Sequence, residues 1–443
     1  MKKTKTVIIA VILLCIGVLT AAAIVLSGKA GFFHTDTDRP TTVVIGGQSY
    51  PVELASFTVT GSDFDYSQLA QFPSLQSVDV TAVEIDADEY QRIRSQVGEQ
   101  VSVLWDIPFN GTRLPSSTSE LRLSSAISAS DQSLLAYFDN LTDVTITDAA
   151  PFDQLYPIMK VIRDAHPDVR FQCSTSLYGV PLDSSTESLI LNNIKLPDTD
   201  ELCHAIEFFP RLKTIEMCRC GLSNDVMGQL RETYPDIQFI WLIHVWNDYV
   251  RTDAQVFSTL SGLSAHRGDS DTFSPLFRYC TELRALDLGH MKITDISEIR
   301  NLKKLHTLIL GDNSISDISP LADLKELNYI EIFENNIEDL SPLLELPHLE
   351  DLNICYNPKV QNATVLTDCK TLKRLYCSHC NISKADIAAL AQGVPQDCEF
   401  NWTTSNCVFG GWRTNAKNAK IRKAFQNWQR IKEFPSWDTV IYQ

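Results

Sequence analysis

Leu283, Leu305, Leu327 and Leu349 stand 22 residues apart, and Leu372 follows after 23. Each opens the same pattern. Leu305-x-x-Leu308-x-Leu310-x-x-Asn313-x-Ile315 returns as Leu327, Ile330, Ile332, Asn335, Ile337, and again as Leu349, Leu352, Ile354, Asn357. Neither a helix nor a strand has that spacing along its whole length. The alternation at 308 and 310 predicts a short strand with one buried face. Asn313 then turns the chain, with an amide able to bond the open backbone groups of its own turn and of the stacked neighbour. Ile315, Ile318, Leu321 and Leu324 bring the return path back over the same core, and Pro320 suits a 3-10 or irregular segment better than a long helix. One such coil cannot bury its apolar side alone, but a stack can.

A longer period precedes these coils. The stretches VSVLWDIPFNG (101–111), VRFQCSTSLYG (169–179) and IQFIWLIHVWN (237–247) begin 68 residues apart. Strand cores at Leu121/Leu123, Val144/Ile146 and Val169/Phe171 suggest three coils filling each larger unit. With Phe57/Val59 and Val78/Val80 in front and Cys398/Phe400 behind, about 16 coils on one continuous axis are expected. FDQLYPIMKVIRDAHP and NDVMGQLRETYP read as amphipathic helices, so the upstream coils are expected to be thicker.

The 22-residue units, with NSISDISPLADL and NNIEDLSPLLEL among them, resemble the leucine-rich repeat family, in the type found in bacterial internalin-like surface proteins. The close resemblance covers about residues 283–392. It implies an α/β solenoid: a leucine-rich repeat array with a parallel concave β-sheet and a helical or 3-10 convex side. The expected division is an N-terminal transmembrane helix or signal at 1–26, a linker at 27–40, a divergent repeat half with its N-terminal cap at 41–282, regular repeats at 283–400 and a C-terminal cap at 401–443. The stretch VVIGGQSYPV reads as a hairpin over the first coil. Ile421, Ala424, Phe425, Trp428 and Ile431 fall on one helical face, with Lys417, Lys420, Arg422, Lys423 and Lys432 elsewhere. That helix is expected in the terminal cap, the rival reading being a membrane-surface helix.

Lys2, Lys3 and Lys5 precede twenty uncharged residues, Val7 to Leu26. At about 1.5 Å per residue such a helix crosses the roughly 30 Å hydrocarbon core. The lysines then stay cytoplasmic and the rest is exported. The run is longer than the h-region of a secretory signal, which favours a retained anchor. Cleavage near Gly28-Lys29-Ala30 is the alternative, and it would make the chain secreted. Thirty-eight basic and 55 acidic residues leave a net charge of −17, which repels phosphate backbones and argues against nucleic acid as a partner.

Twelve cysteines in an exported chain invite a disulfide framework. The repeat register points elsewhere: Cys377 holds an inward leucine position and Cys220 and Cys380 hold the asparagine position, so buried free thiols are expected. The CSHC at 377–380 has metal-ligand spacing but no second pair, and zinc or a local disulfide stays open as the lesser reading. Cys218 and Cys355, at outward strand positions, are the expected reactive thiols. No histidine recurs with a serine, cysteine or carboxylate at triad or metal spacing, and no glycine-rich phosphate loop is present. Neither a catalytic residue, nor a metal site, nor a cofactor is therefore expected.

The strand positions that alternate with the buried ones are the candidate site: Asp287, Tyr329, Glu331, Phe333, Asp351, Asn353, Tyr356, Arg374 and Tyr376. Ile309, His290 and His379 lie on or beside the same face. Aromatic residues among charges have the composition of a binding surface. The resemblance implies that a protein or other cell-surface macromolecule binds there, on an open and hydrated concave face. The alternative is a structural or adhesive envelope component without a dominant patch.

Overall fold

The computed structural model describes residues 41–246, 248–259, 275–406, 408 and 411–427. The expected membrane segment and linker at 1–40, Cys15, Cys407, Trp428, Ile431 and the stretch 434–442 lie outside the described residues. Among the described residues no helix is long and apolar enough to cross a membrane. Two compact units form, one from the residues up to Ser119 together with Ser128–Asn140, the other from Glu120–Ile127 together with the residues from Leu141 onward.

In the first unit β1 (Thr42–Ile45) and β2 (Gln48–Pro51) make the expected hairpin, turning on Gly46 and Gly47 at φ +56° and +82°. Its Tyr50 ring packs 5.1 Å from Phe57 of the first coil. Strands β3 (Ser56–Thr58), β4 (Ser77–Asp79) and β5 (Ser102–Leu104) form a parallel sheet, followed by an antiparallel hairpin of β6 (Asp106–Phe109) and β7 (Thr112–Pro115). Trp105, at the start of that hairpin, is buried and stacks on Tyr90 at 4.7 Å.

The second unit repeats the scheme twice. Strands β8 (Glu120–Leu123), β9 (Asp143–Ile146), β10 (Ala150–Pro151), β11 (Arg170–Gln172), β12 (Ser174–Leu177) and β13 (Val180–Asp183) give a parallel sheet β8-β9-β11 and a hairpin β12-β13 with β10 at its edge. Strands β14 (Ser188–Ile190), β15 (Thr214–Glu216) and β16 (Gln238–Ile240) give the next parallel sheet, followed by the hairpin β17 (Leu242–Val245) and β18 (Asp248–Arg251). Then β19 (Val256–Ser258), β20 (Ala285–Asp287), β21 (Thr307–Ile309), β22 (Tyr329–Glu331), β23 (Asp351–Asn353), β24 (Arg374–Tyr376) and β25 (Glu399–Asn401) pair in sequence order as one parallel seven-stranded sheet.

Three sheets of three coil strands and one of seven account for the sixteen coils. The 68-residue unit, however, is not three coils alone. Each carries an antiparallel hairpin, and the hairpin interrupts the parallel ladder. Asn110-Gly111 at φ +48° and +73° and Tyr178-Gly179 at +51° and +81° make the tight turns. Two successive residues with positive φ match the right-handed twist of the flanking strands. That signal lies inside the stretches that mark the period.

The coil chemistry follows the sequence closely. Leu286, Leu308, Ile330, Leu352 and Leu375 align across the ladder and are fully buried. Each such side chain contributes roughly 1.5–3 kcal/mol on removal from water. The Asn335 amide donates to the carbonyls of Leu310 (2.9 Å), Ile332 (3.2 Å) and Phe333 (3.0 Å), and its oxygen accepts from the Ile315 N–H (2.9 Å). Asn313 and Asn357 do the same one coil away on either side. Where cysteine replaces the asparagine, its thiol takes over part of the role: Cys220 donates to the Leu191 carbonyl at 3.2 Å and Cys380 to the Ile354 carbonyl at 3.1 Å. The residue before each, Asp312, Glu334, Tyr356, Arg219 or His379, sits at φ +51° to +62° and makes the turn.

Return paths in the regular repeats are 3-10 turns at Ser297–Asn301, Ser319–Asp323, Ser341–Glu345 and Ala363–Asp368, with Pro320 and Pro342 in the first turn of theirs. The upstream coils use α-helices such as Phe152–Ala165 and Asn224–Thr233 and are thicker, as expected.

Candidate binding face

Strand burial changes along the chain. β3, β5, β11 and β14 read exposed, buried, exposed, so one face is free. β19 to β24 are buried at all three residues, so both faces are covered. One face holds the leucine core; the other holds the chain's own segment Gly411 to Phe425. Val256, Ala285, Ile309, Tyr329, Phe333, Cys355 and Tyr376 from the sheet share an apolar cluster with Trp412, Ile421, Ala424 and Phe425.

Gly411 begins the crossing at φ +111°, where an added Cβ would stand 2.7 Å from the Tyr376 hydroxyl oxygen. Trp412 is completely buried, with the rings of Tyr329 and Tyr376 at 5.6 and 5.1 Å. The Arg374 guanidinium lies 4.1 Å from the Trp412 ring centroid, donates to the Trp412 carbonyl at 2.9 Å and bonds Asp351 at 2.5 Å. A desolvated cation over an aromatic face is among the stronger side-chain contacts. Arg413 forks onto Glu331, with its Nε 3.2 and 3.1 Å from the two carboxylate oxygens and its Nη2 on Oε2 as well.

Lys417, one helical turn on, reaches Asp351 at 2.5 Å and Glu350 at 3.1 Å. Asn418 donates to the Tyr329 hydroxyl at 2.7 Å, and that hydroxyl donates to Glu331. Helix Ala416–Asn427 then presents Ile421, Ala424 and Phe425 to the apolar cluster.

Electrostatics follow from this cover. Burial, the Glu331 charge and the hydrogen bond to Glu331 push the Tyr329 hydroxyl well above its usual range. Burial and Glu399 push Tyr376 up to about 12. Burial works against the Arg413 charge, yet Glu331 overrides it and the net shift is upward. Burial raises the Asp287 carboxyl to about 6, against the Gly289 N–H and the Arg413 charge.

The structure thus brings Asp287, Tyr329, Glu331, Phe333, Asp351, Asn353, Arg374 and Tyr376 together on one face and corrects their expected exposure. All eight are buried, and only Tyr356 keeps partial exposure, stacked on His379 at 4.3 Å and bonded to the Ser405 carbonyl. The physical reason is complementarity: an apolar, acidic face meets an apolar, basic segment of the same chain. The helix expected in a terminal cap lies across the sheet. Arg413 and Lys417 against Glu331, Glu350 and Asp351, within a basic stretch that also holds Lys420, Arg422 and Lys423, are the signal in the sequence.

Cys355 and Cys218 are also buried, and burial raises the Cys218 thiol to about 11; neither stands ready to react. All described cysteines are free thiols, and no cluster of three or more potential metal ligands occurs among the described residues.

A family model described as leucine-rich repeats, in two copies, matches residues 281–323, and the coils just described continue that register on both sides. Residues 281–323 are leucine-rich repeats. Among solved structures, the repeat protein is similar to an internalin of Listeria monocytogenes at 16% identity, covering 82% of this chain and 87% of that one with a TM-score of 0.29. It is also similar to a leucine-rich repeat protein of Leptospira interrogans at 14% identity, covering 76% and 92% with a TM-score of 0.29. A third likeness is to the repeat ectodomain of a plant receptor kinase of Arabidopsis thaliana, at 13% identity, covering 80% and 47% with a TM-score of 0.26. No curated protein matches the sequence.

Proposed function

We propose that this repeat protein is a non-catalytic, extracytoplasmic polypeptide-binding protein, held at the membrane by residues 1–26. Its binding face is that of Asp287, Tyr329, Glu331, Phe333, Asp351, Asn353, Tyr356, Arg374 and Tyr376. One observation carries the reading: this face already receives a polypeptide segment through a buried tryptophan and a forked arginine–carboxylate pair, side chains that dominate protein interfaces, with a lysine ion pair beside them. The lysines at 2, 3 and 5 before the apolar run 7–26 support the anchor and its orientation.

Site-specific photo-crosslinking in the native envelope tests the placement. A crosslinker replacing Tyr356, at the rim of the face, should capture a discrete protein. One replacing Ile190, exposed on another sheet, should not. Equal capture at both positions would favour an envelope component without a dominant patch. Protease added outside intact cells should digest the chain if it is exported, and full protection would overturn that part.

A further inference from the structure

We propose that the segment from Gly411 to Phe425 is a displaceable occupant of the seven-stranded face, and that the partner is a polypeptide of the same chemistry. That partner carries an aromatic side chain followed directly by arginine and, one helical turn on, by lysine beside an apolar helix face. The inference rests on the proposed binding role of the face and specifies what it binds.

Charge complementarity selects a basic partner. Glu331, Asp351 and Glu350 line the path of the segment, Asp287 faces Arg413 as well, and the cations on the sheet side are engaged already, Arg374 by Asp351 and Lys373 by Glu350. The aromatic slot between Tyr329, Tyr376 and Arg374 selects a flat ring ahead of the first cation.

The present occupant leaves the site incompletely satisfied. Nη2 of Arg374, Nε1 of Trp412 and Oδ1 of Asn418 are buried there without a hydrogen-bond partner. Arg374 is itself more than nine-tenths buried. Buried polar atoms are nearly always paired in native proteins, and each unmade bond carries the full desolvation cost of its atom. A partner bringing an acceptor to Arg374 Nη2 would hold the face better than the resident segment does, contact for contact.

The resident segment has a different advantage, its covalent tether. Tethering to β25 provides an effective concentration on the order of 1 mM. A free segment with an affinity of about 10 µM would therefore bind the occupied face about 100-fold more weakly than the open one. A partner that pairs Arg374 Nη2, and brings no unpaired atom of its own as Trp412 and Asn418 do, recovers part of that factor.

The test uses the full chain and a fluorescent peptide of residues 409–427. Trp412→Ala in the protein releases the resident segment, and Lys417→Ala, which removes one partly exposed ion-pair centre, replaces it if the first variant loses strand protection. The peptide should bind the released variant saturably, and wild type about 100-fold more weakly. Adding Glu331→Gln and Asp351→Asn should abolish binding, as should alanine at the peptide's tryptophan and arginine. In wild type, saturating peptide should also speed amide exchange in the resident helix Ala416–Asn427. Binding to the released variant but never to wild type, with the resident helix still protected, would overturn displacement and leave the face as a binding site. Binding to neither would overturn the binding role itself.

Discussion

Replacing Trp412 with alanine separates the covering segment from the sheet beneath it. The side chain is fully buried between Tyr329, Tyr376 and Arg374. Those neighbours are held in place, Tyr376 by Glu399 at 2.5 Å and Arg374 by Asp351, so the space left behind collapses poorly. Large aromatic-to-alanine changes at such sites cost about 3–5 kcal/mol. Here the loss falls on docking of the segment. Once undocked, a helix the length of Ala416–Asn427 is marginal in water, so its amides exchange freely. Native-state hydrogen exchange should therefore show those amides opening at least about 100-fold more readily, since each 1.4 kcal/mol is a factor of ten. The strand amides of β20 to β24 bond to neighbouring strands and not to the segment, and should change by less than about tenfold. Equal loss of protection in helix and strands would refute the reasoning, because the segment would then be part of the cooperative core. So would an unchanged helix.

Asp287 makes stability depend on pH. Its carboxyl is raised from 3.8 to about 6, so its neutral form is favoured in the fold; the associated stability is present below about pH 4 and is lost as pH rises through 6. Asp287→Asn should be more stable than wild type by up to about 3 kcal/mol at pH 7.5 and equal to it near pH 4, measured by urea unfolding. Asn335→Ala removes the partner of three buried carbonyls and one N–H, and should cost about 3 kcal/mol or more in the same assay, whereas Cys380→Asn should gain about 1 kcal/mol. Gly311→Ala would place a Cβ 2.4 Å from the Phe333 ring, and should destabilise by about 1–3 kcal/mol with the loss centred on β22.

The coils were legible because each is local: Leu305, Leu308, Leu310 and Asn313 say within ten residues where the strand, the core and the turn lie. Even Cys220 and Cys380 followed the asparagine register. The hairpins were less visible because Trp105-to-Phe109 continues the apolar alternation of the preceding strand, and only the turn at Asn110-Gly111 marks the reversal. Strand alternation marks the residues of the candidate face but not that they are covered. Its cover comes from 82 residues downstream of Glu331, in Arg413, and pairing over that distance leaves no trace in a 22-residue period. The clue was compositional: tyrosine, phenylalanine and tryptophan placed against acids at strand positions, and a basic helix further along.

The cover lies downstream of everything it covers. During synthesis the chain emerges from its N-terminal side, so β19 to β24 are made before Trp412 and Arg413 exist. For that interval Tyr329, Phe333 and Tyr376 have no lid, and a nascent chain presents a sticky apolar surface flanked by acids. A truncated chain ending near Asn401 and released from the ribosome should accordingly recruit chaperones that the finished protein does not.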